Sequence, residues 1–376
     1  MLVIAAIVAA LPVAWRERAT WRRIRGFDGP VAALVVLGIV ALILAPGPGE
    51  GERVFRQVIL EPALFYGAIS RLFDDALGRR RVALAIVVGG ALVSAHGLAQ
   101  FAIPDQLIDA EGVWRIRGPY PSPNNLALYL DRVVPLSLGL ALGTRAAWVV
   151  ATVGLGAIAL GTTYSIGGWA AAGASATFVA WFRSRRLAIA IPLAVTLIVL
   201  ALAIALRPER ILSHFDVTAP STSGLRILLW QSSIAMALDH PWFGVGLDNF
   251  LYFYDPARTD RPYMLLAAWR ESSLSHPHNL FLDWWLSLGI GGLLALFWIL
   301  VRLSRCGIAA IRRGGEERWL AIGIVGAMLA SVIHGSIDNG YFLPDLAILW
   351  WTLAAMLAGI AERDSGATVG QSRSAP

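Results

Sequence analysis

The sequence predicts an all-α fold: a polytopic integral membrane helical bundle of about eleven transmembrane helices, with one long outer loop. Three observations carry that expectation. Apolar residues make up 57% of the 376-residue chain and mean hydropathy is +0.64, far above an ordinary globular domain. They fall into uninterrupted blocks about as long as the roughly 20 residues a spanning helix needs. All 31 basic residues are arginine, and most sit in short loops between those blocks. The basic balance is therefore a sign of topology, not of a nucleic-acid partner.

Taken in order, the first candidate span is 1–15. No basic residue precedes it and the arginines follow it, the wrong order for a cleaved signal peptide, so it reads as a short first helix. Span 30–46 is uniformly apolar. Span 54–70 is the weakest, because Glu61 and Pro62 lie inside it and mark a kink or a displaced boundary. Spans 82–103, 125–143, 146–163, 167–182 and 187–206 follow. After the long loop 207–278 come spans 279–301, 318–335 and 344–361. Loops 16–29, 71–81, 183–186 and 302–317 are arginine-rich and alternate with arginine-poor ones. The positive-inside rule then puts the N-terminus out, the C-terminus in, and loops 104–124 and 207–278 on the outer face.

Residues 1–362 read as a single transmembrane domain. The tail 363–376 is small and polar and reads as a disordered cytoplasmic segment. Inside the long loop, "GLRILLWQSSIAMALDHPWFGVGLDNF" spaces Ile227, Trp230, Ile234 and Leu238 as one helical stripe, then turns at Pro241, Gly244 and Gly246. That is the pattern of an amphipathic helix lying on a membrane. The single Cys306 lies among Arg302, Arg305 and Arg312, which places an inert thiol in a cytoplasmic loop. No Asp-x-Asp and no phosphate loop occurs, so no metal or nucleotide cofactor is implied.

Chemistry concentrates in "SHPHNLFLDWWLSLGIGG", Ser275 to Gly292. Pro277 ends the loop, and His278 and Asn279 stand at the outer mouth of the ninth span. Asn279 can cap that helix, and Asp283 lies in the first turns, where the dipole favours negative charge. A boundary histidine is either an interfacial residue or a base suited to neutral pH. His276 and His278 form a weak metal pattern, because no third ligand accompanies them. Asp338 and Asn339, in "GSIDNGYF" at the outer mouth of the last two spans, either orient a partner or form a solvated turn. The aromatic set Trp242, Phe243, Phe250, Tyr252, Phe253, Tyr254 and Trp269 suits the headgroup level first and sugar stacking second.

His278, Asn279, nine residues, Gly289, two residues and Gly292 resemble the signature of the O-antigen ligase and O-antigen polymerase family. Leu293 replaces the usual final glycine. "RIRGPYPSPNNLALYL" is similar to the family's Gly…Pro-Asn segment, and "LRILLWQSSIAMALDHPWFGVGLDNF" to its Arg…Trp…Pro-x-x-Gly-x-Gly segment. The resemblance covers roughly 110–360. It departs at "YSIGGW", where Ile166 replaces an arginine, and eleven spans instead of the family's twelve imply that a first helix is absent here.

The resemblance implies a metal-independent glycosyltransferase of the bacterial inner membrane, acting at the periplasmic or exterior face. It would move a glycan from undecaprenyl diphosphate to a glycan, lipid or protein acceptor, with inversion. His278 and Arg226 would be catalytic. Arg117, Asn124, Asn279, Arg270 and Asp338 would contact substrate, with Arg258 and Arg261 as further outer cations able to neutralise diphosphate. A repeat-unit polymerase of the same family is the nearest alternative. A transporter or lipid flippase is the alternative of another class. The near absence of mid-depth charge in spans 125–143, 146–163 and 187–206 speaks against it.

Overall fold

A computed structural model describes residues 26–44, 50–110, 113–205, 222–265 and 274–362. The expected first span 1–15, the tail 363–376, Trp269 and Arg270 lie outside the described residues. Helix α1 is Asp28–Leu44. Helix α2 (Gly51–Val54), a π-helical segment (Phe55–Leu60) and α3 (Glu61–Leu72) follow one another without a gap. Then come α4 (Ala76–Ala99), a two-stranded hairpin of β1 (Ile108–Ala110) and β2 (Val113–Arg115), α5 (Pro123–Thr144), α6 (Ala147–Gly161), α7 (Ile166–Trp181) and α8 (Arg185–Ala205). Further along the chain lie α9 (Thr222–Asp239), α10 (Phe250–Tyr254), α11 (Leu280–Arg313), α12 (Arg318–Gly335) and α13 (Pro344–Glu362).

Each expected span within the described residues coincides with a helix. Five are long and apolar enough to cross a membrane: Ala76–Ala102, Pro123–Thr144, Leu280–Arg313, Arg318–Gly335 and Pro344–Glu362. Asp28–Leu44 and Ala147–Gly161 are apolar but shorter. Among the described residues the expected count of about eleven full-length spans is not reached, since α1, α6 and α7 stop short of the roughly 20 residues a bilayer core requires.

Local chemistry sets the boundaries. The Ser122 hydroxyl caps α5 by accepting from Asn125 N at 3.1 Å, and Pro123 stands where a missing N–H does no harm. Asp75 caps α4 through Gly78 N at 2.7 Å. The weak third span is explained by the π segment immediately before Pro62. Pro62 has no N–H, so the Val58 carbonyl loses its α-helical donor. The Tyr341 hydroxyl donates to that oxygen at 3.2 Å, and Trp351 Nε1 donates in turn to Tyr341 at 2.8 Å. Glu61 pairs with Arg56 at 3.4 Å.

Helices α5 and α12 meet through small residues. A Cβ on Gly139 would run into the Gly323 backbone and the Trp319 carbonyl, so close backbone approach takes the place of interlocking side chains. The arginine-rich loops 71–81, 183–186 and 302–317 collect at the end of the bundle away from His278. There Arg79 clamps Glu317 with two bonds of 2.7 and 2.8 Å, and Arg71 pairs with Asp28 at 2.7 Å. Span 125–143 is less neutral than its hydropathy suggests. Asp131 and Arg132 are both fully buried, with Asp131 2.6 Å from His334 Nδ1 and Arg132 bound to Ser331 Oγ at 2.6 Å and to Gly340 O at 2.7 Å.

The 34-residue helix α11 is broken at Gly289, where φ is 71° and ψ −170°. In a regular helix Leu286 O would accept from Ile290 N. Here Leu286 O accepts from Val245 N at 2.7 Å and Gly246 N at 3.3 Å, while Ile290 N donates to Pro241 O at 2.9 Å. The turn 241–246 is therefore inlaid into the break and takes over its backbone hydrogen bonds. Gly244, with φ 66°, lies so close that a Cβ would overlap Leu286 O, and a Cβ on Gly289 would overlap Trp242 O. The Pro-x-x-Gly-x-Gly segment and the Gly289, Gly292 pair are two halves of one joint.

Gly289→Ala should destabilise the protein by about 2–4 kcal/mol, from left-handed strain plus overlap. Gly154→Ala is the comparison, since nothing lies within 4 Å of its added Cβ. Thermal unfolding in detergent should show a lowered midpoint for the first variant and an unchanged one for the second. Equal midpoints would mean that the joint carries no stability.

Candidate active site

His278 sits in the last turn of loop before α11, with φ 47°, a left-handed conformation uncommon for a side chain with a Cβ. Two contacts hold it there. Asn279 caps α11, its Oδ1 accepting from Phe281 N at 3.0 Å and Leu282 N at 3.1 Å, while its Nδ2 donates to Ser336 O at 2.8 Å. Trp230 Nε1, from α9, donates to Pro277 O at 3.1 Å and His278 O at 3.3 Å. Both ends of the Asn279 amide are thus committed to fixing the backbone beside His278.

The imidazole meets Asp338 from the α12–α13 turn, with Nδ1 2.7 Å from Oδ1. Arg226 reaches the other carboxylate oxygen, NH2 to Oδ2, at 3.3 Å. Asn339 N donates to Oδ1 at 2.8 Å, and Asn339 Oδ1 accepts from Phe342 N at 2.9 Å. Asp338 and Asn339 are 3% and 5% exposed, which decides against a solvated turn. Burial alone would raise the Asp338 carboxyl, but the His278 hydrogen bond and the charges of His278, Arg226 and His334 hold it well below the usual carboxylate range. An ionised carboxylate can only accept, so Nδ1 carries the shared proton, and it is in the neutral ring that Nε2 offers a lone pair.

His276 packs its ring 4.2 Å from that of His278, and its Nδ1 lies 3.1 Å from Ser275 Oγ. Burial and the neighbouring His278 push it down to about 3, so it is a neutral ring at physiological pH. His276, His278 and Asp338 each offer one atom within 4.8 Å of the others, the third metal ligand that the sequence did not reveal. Both Asp338 oxygens already have hydrogen-bond partners, however, and the Arg226 guanidinium stands against one of them. As it stands the cluster is an ion-paired hydrogen-bond set, with the imidazole and Asn339 N on Oδ1 and the guanidinium on Oδ2.

Of the residues singled out from sequence, the fold brings His278, Arg226, Asn279 and Asp338 together. Asn124 is engaged elsewhere: its Oδ1 accepts from Arg115 NH2 at 3.0 Å, and Arg115 also binds Thr163 O at 2.7 Å. Arg117 lies on a turn clamped by Gln100, whose Oε1 accepts from Arg117 N at 3.0 Å and Gly118 N at 2.9 Å. Ile166 is exposed at the start of α7, where Ser165 supplies the cap.

On α9 the buried face is Leu229, Met236 and Ala237, packed against Val245, Phe250 and Leu286. The sequence stripe of Ile227, Ile234 and Leu238 is the face left outside, and Trp230 turns inward to the His278 loop. Trp242 and Phe243 are exposed, as suits a headgroup-level role, whereas Phe250 and Tyr254 are buried and stacked 5.3 Å apart. Sequence reasoning missed Trp230, whose role depends on a contact 48 residues away. It also missed the buried Asp131, Arg132 and His334, although a charged pair inside an apolar span was a signal in plain view.

Residues 151–297 match a family model described as O-Antigen ligase. That range contains Arg226, His278, Asn279, Gly289 and Gly292, and Asp338 lies beyond it. The resemblance read from the motifs is borne out by this match. No curated protein matches the chain.

Proposed function

We propose, from a chain whose residues 151–297 match the O-antigen ligase family model, a membrane glycosyltransferase that moves a glycan from undecaprenyl diphosphate to an acceptor hydroxyl. The observation that carries this reading is the Arg226–Asp338–His278 line, which puts a fixed cation and an oriented base at one end of the bundle. Asp338 holds the Nδ1 proton, and His278 Nε2 takes the proton of the acceptor hydroxyl. The acceptor oxygen forms its bond to the anomeric carbon as the bond from that carbon to the diphosphate oxygen breaks. The electron pair leaves on the diphosphate, whose charge Arg226 offsets. Attack from the face opposite the leaving group inverts the anomeric centre. No step requires a metal.

The acceptor separates a ligase from a repeat-unit polymerase. Mass spectrometry of lipid-linked and surface glycans, with and without the gene, tests both. Full chains stranded on the lipid carrier indicate a ligase, and single repeats indicate a polymerase. Unchanged glycans would sink the transfer reading altogether.

In this reading the reaction occurs at the periplasmic or exterior face of the bacterial inner membrane; the arginine-rich loops 71–81, 183–186 and 302–317 at the opposite end of the bundle support it. Ala257→Cys, exposed in the long loop, should label with a membrane-impermeant thiol reagent in a Cys306→Ser background, once any outer membrane is permeabilised. Labelling only after inner-membrane lysis would reverse the orientation.

Arg226→Ala should lower kcat/KM for the lipid-linked donor by about 10- to 100-fold, the worth of a charge-assisted hydrogen bond. Arg226→Lys should recover part of it, because an ammonium cannot reproduce the planar fork. Full activity in the alanine variant would move the diphosphate contact to another outer arginine.

A further inference from the structure

We propose that the cavity beside the His278–Asp338 pair is a saccharide subsite, in which the Asp283 carboxyl group hydrogen-bonds a sugar hydroxyl; this rests on the glycan-transfer reading above. The cavity encloses about 310 Å³, within the range of small-ligand sites. Its walls come from separate parts of the chain: Gln57 on the π segment, Asn125 on α5, His276 before α11, Asp283 on α11 and Asn339 on the α12–α13 turn. Arg53 and Asp248, 3.6 Å apart, close one side.

Asp283 is 5% exposed, and its Oδ2 has no hydrogen-bond partner in the protein. A buried carboxyl oxygen left without a partner is costly, and native structures rarely keep one without a reason. A ligand supplying the partner removes that cost. The arginine of the lining, Arg53, is already paired with Asp248, which disfavours a phosphate group, and the polar lining opposes a hydrocarbon chain. A polyhydroxylated ring offers both donors and acceptors, which matches a carboxyl group, three amides and an imidazole. Position gives the second argument: His276 lines this cavity and its ring packs 4.2 Å from that of His278. An occupant therefore lies one imidazole away from the proposed base, where either the acceptor sugar or the first donor sugar must sit.

The test uses the full-length purified protein. Asp283→Leu, which removes the acceptor atoms at similar volume, should raise the KM for one sugar substrate about 10- to 100-fold and leave kcat within a few-fold. Asp283→Asn, retaining one acceptor, should fall between. Varying acceptor at saturating donor, and then the reverse, assigns the subsite to one substrate or the other. Gln57→Leu, on another wall, should shift the same KM.

A binding readout separates this proposal from the transfer reading. Oligosaccharide released by mild acid from the organism's own lipid-linked glycans is titrated against His278→Ala protein and followed by intrinsic tryptophan fluorescence. Binding should persist there and be lost when Asp283→Leu is added. If wild type shows no transfer but binding depends on Asp283, the transfer reading fails and the subsite stands. If transfer occurs while Asp283→Leu leaves both KM values and binding unchanged, the subsite is wrong. Should the Asp283 variants not fold, an unshifted KM in Gln57→Leu overturns it equally.

Discussion

His278→Ala should lose about 100- to 10,000-fold in turnover, the usual contribution of a positioned general base, while the protein still inserts and purifies. Alanine at a left-handed position carries its own backbone cost, so His278→Asn is the better partner variant. Asparagine tolerates φ 47° far more readily than alanine, yet it has no group able to take a proton at neutral pH. Both should be inactive, with unfolding midpoints near wild type for the asparagine form. His276→Ala should cost at most about tenfold, because its ring neighbours the base without contacting Asp338 as His278 does. Full activity in His278→Gln would show that the residue holds a substrate by hydrogen bonding and transfers no proton.

Asp338→Asn should be nearly as damaging, on the order of 1,000-fold in kcat, by analogy with the orienting carboxylate of hydrolase triads. The amide no longer fixes the proton on Nδ1, so Nε2 loses its guaranteed lone pair. It also leaves Arg226 without a counter-charge at 3.3 Å. The folded carboxyl lies below its unfolded value of about 3.9, so this pairing stabilises the native state above that pH. Its contribution falls away only as the pH drops through the lower folded value. Acid titration of unfolding should therefore show wild type losing more stability below about pH 4 than Asp338→Asn. Identical acid curves would mean that the pairing adds nothing to the fold.

The helices were legible because a bilayer demands long apolar runs, and those runs survive in the sequence without knowledge of packing. Asn279 as a cap and His278 at a boundary were legible for the same local reason. What stayed hidden depends on contacts between distant residues. Gly289 reads as one more small residue in an apolar helix until the turn 241–246 is seen replacing its hydrogen bonds. Asp338 reads equally as a turn residue or as an orienter until its burial is known. The stripe on α9 shows the limit of periodicity: spacing identifies two faces, and only the packing of Leu229 and Met236 says which one points inward. Asn124 went to Arg115 because the β2 strand, which sequence reasoning left as loop, carries that guanidinium to it.

The separation of His278 and Asp338 along the chain has a consequence for biosynthesis. They stand 60 residues apart, and the second is carried on the turn between the last two helices. At about 5–20 residues per second, a ribosome needs roughly 3–12 seconds to make that stretch. Through most of this interval the nascent chain already holds Arg226, His278 and the residues of the inlaid joint, yet its imidazole has no carboxylate to set its proton. A chain truncated before α12, or stalled there during insertion, would bring a base and a cation into the membrane without the group that makes them a pair. Competence thus arrives with the final hairpin, and incomplete copies in the membrane should be inert.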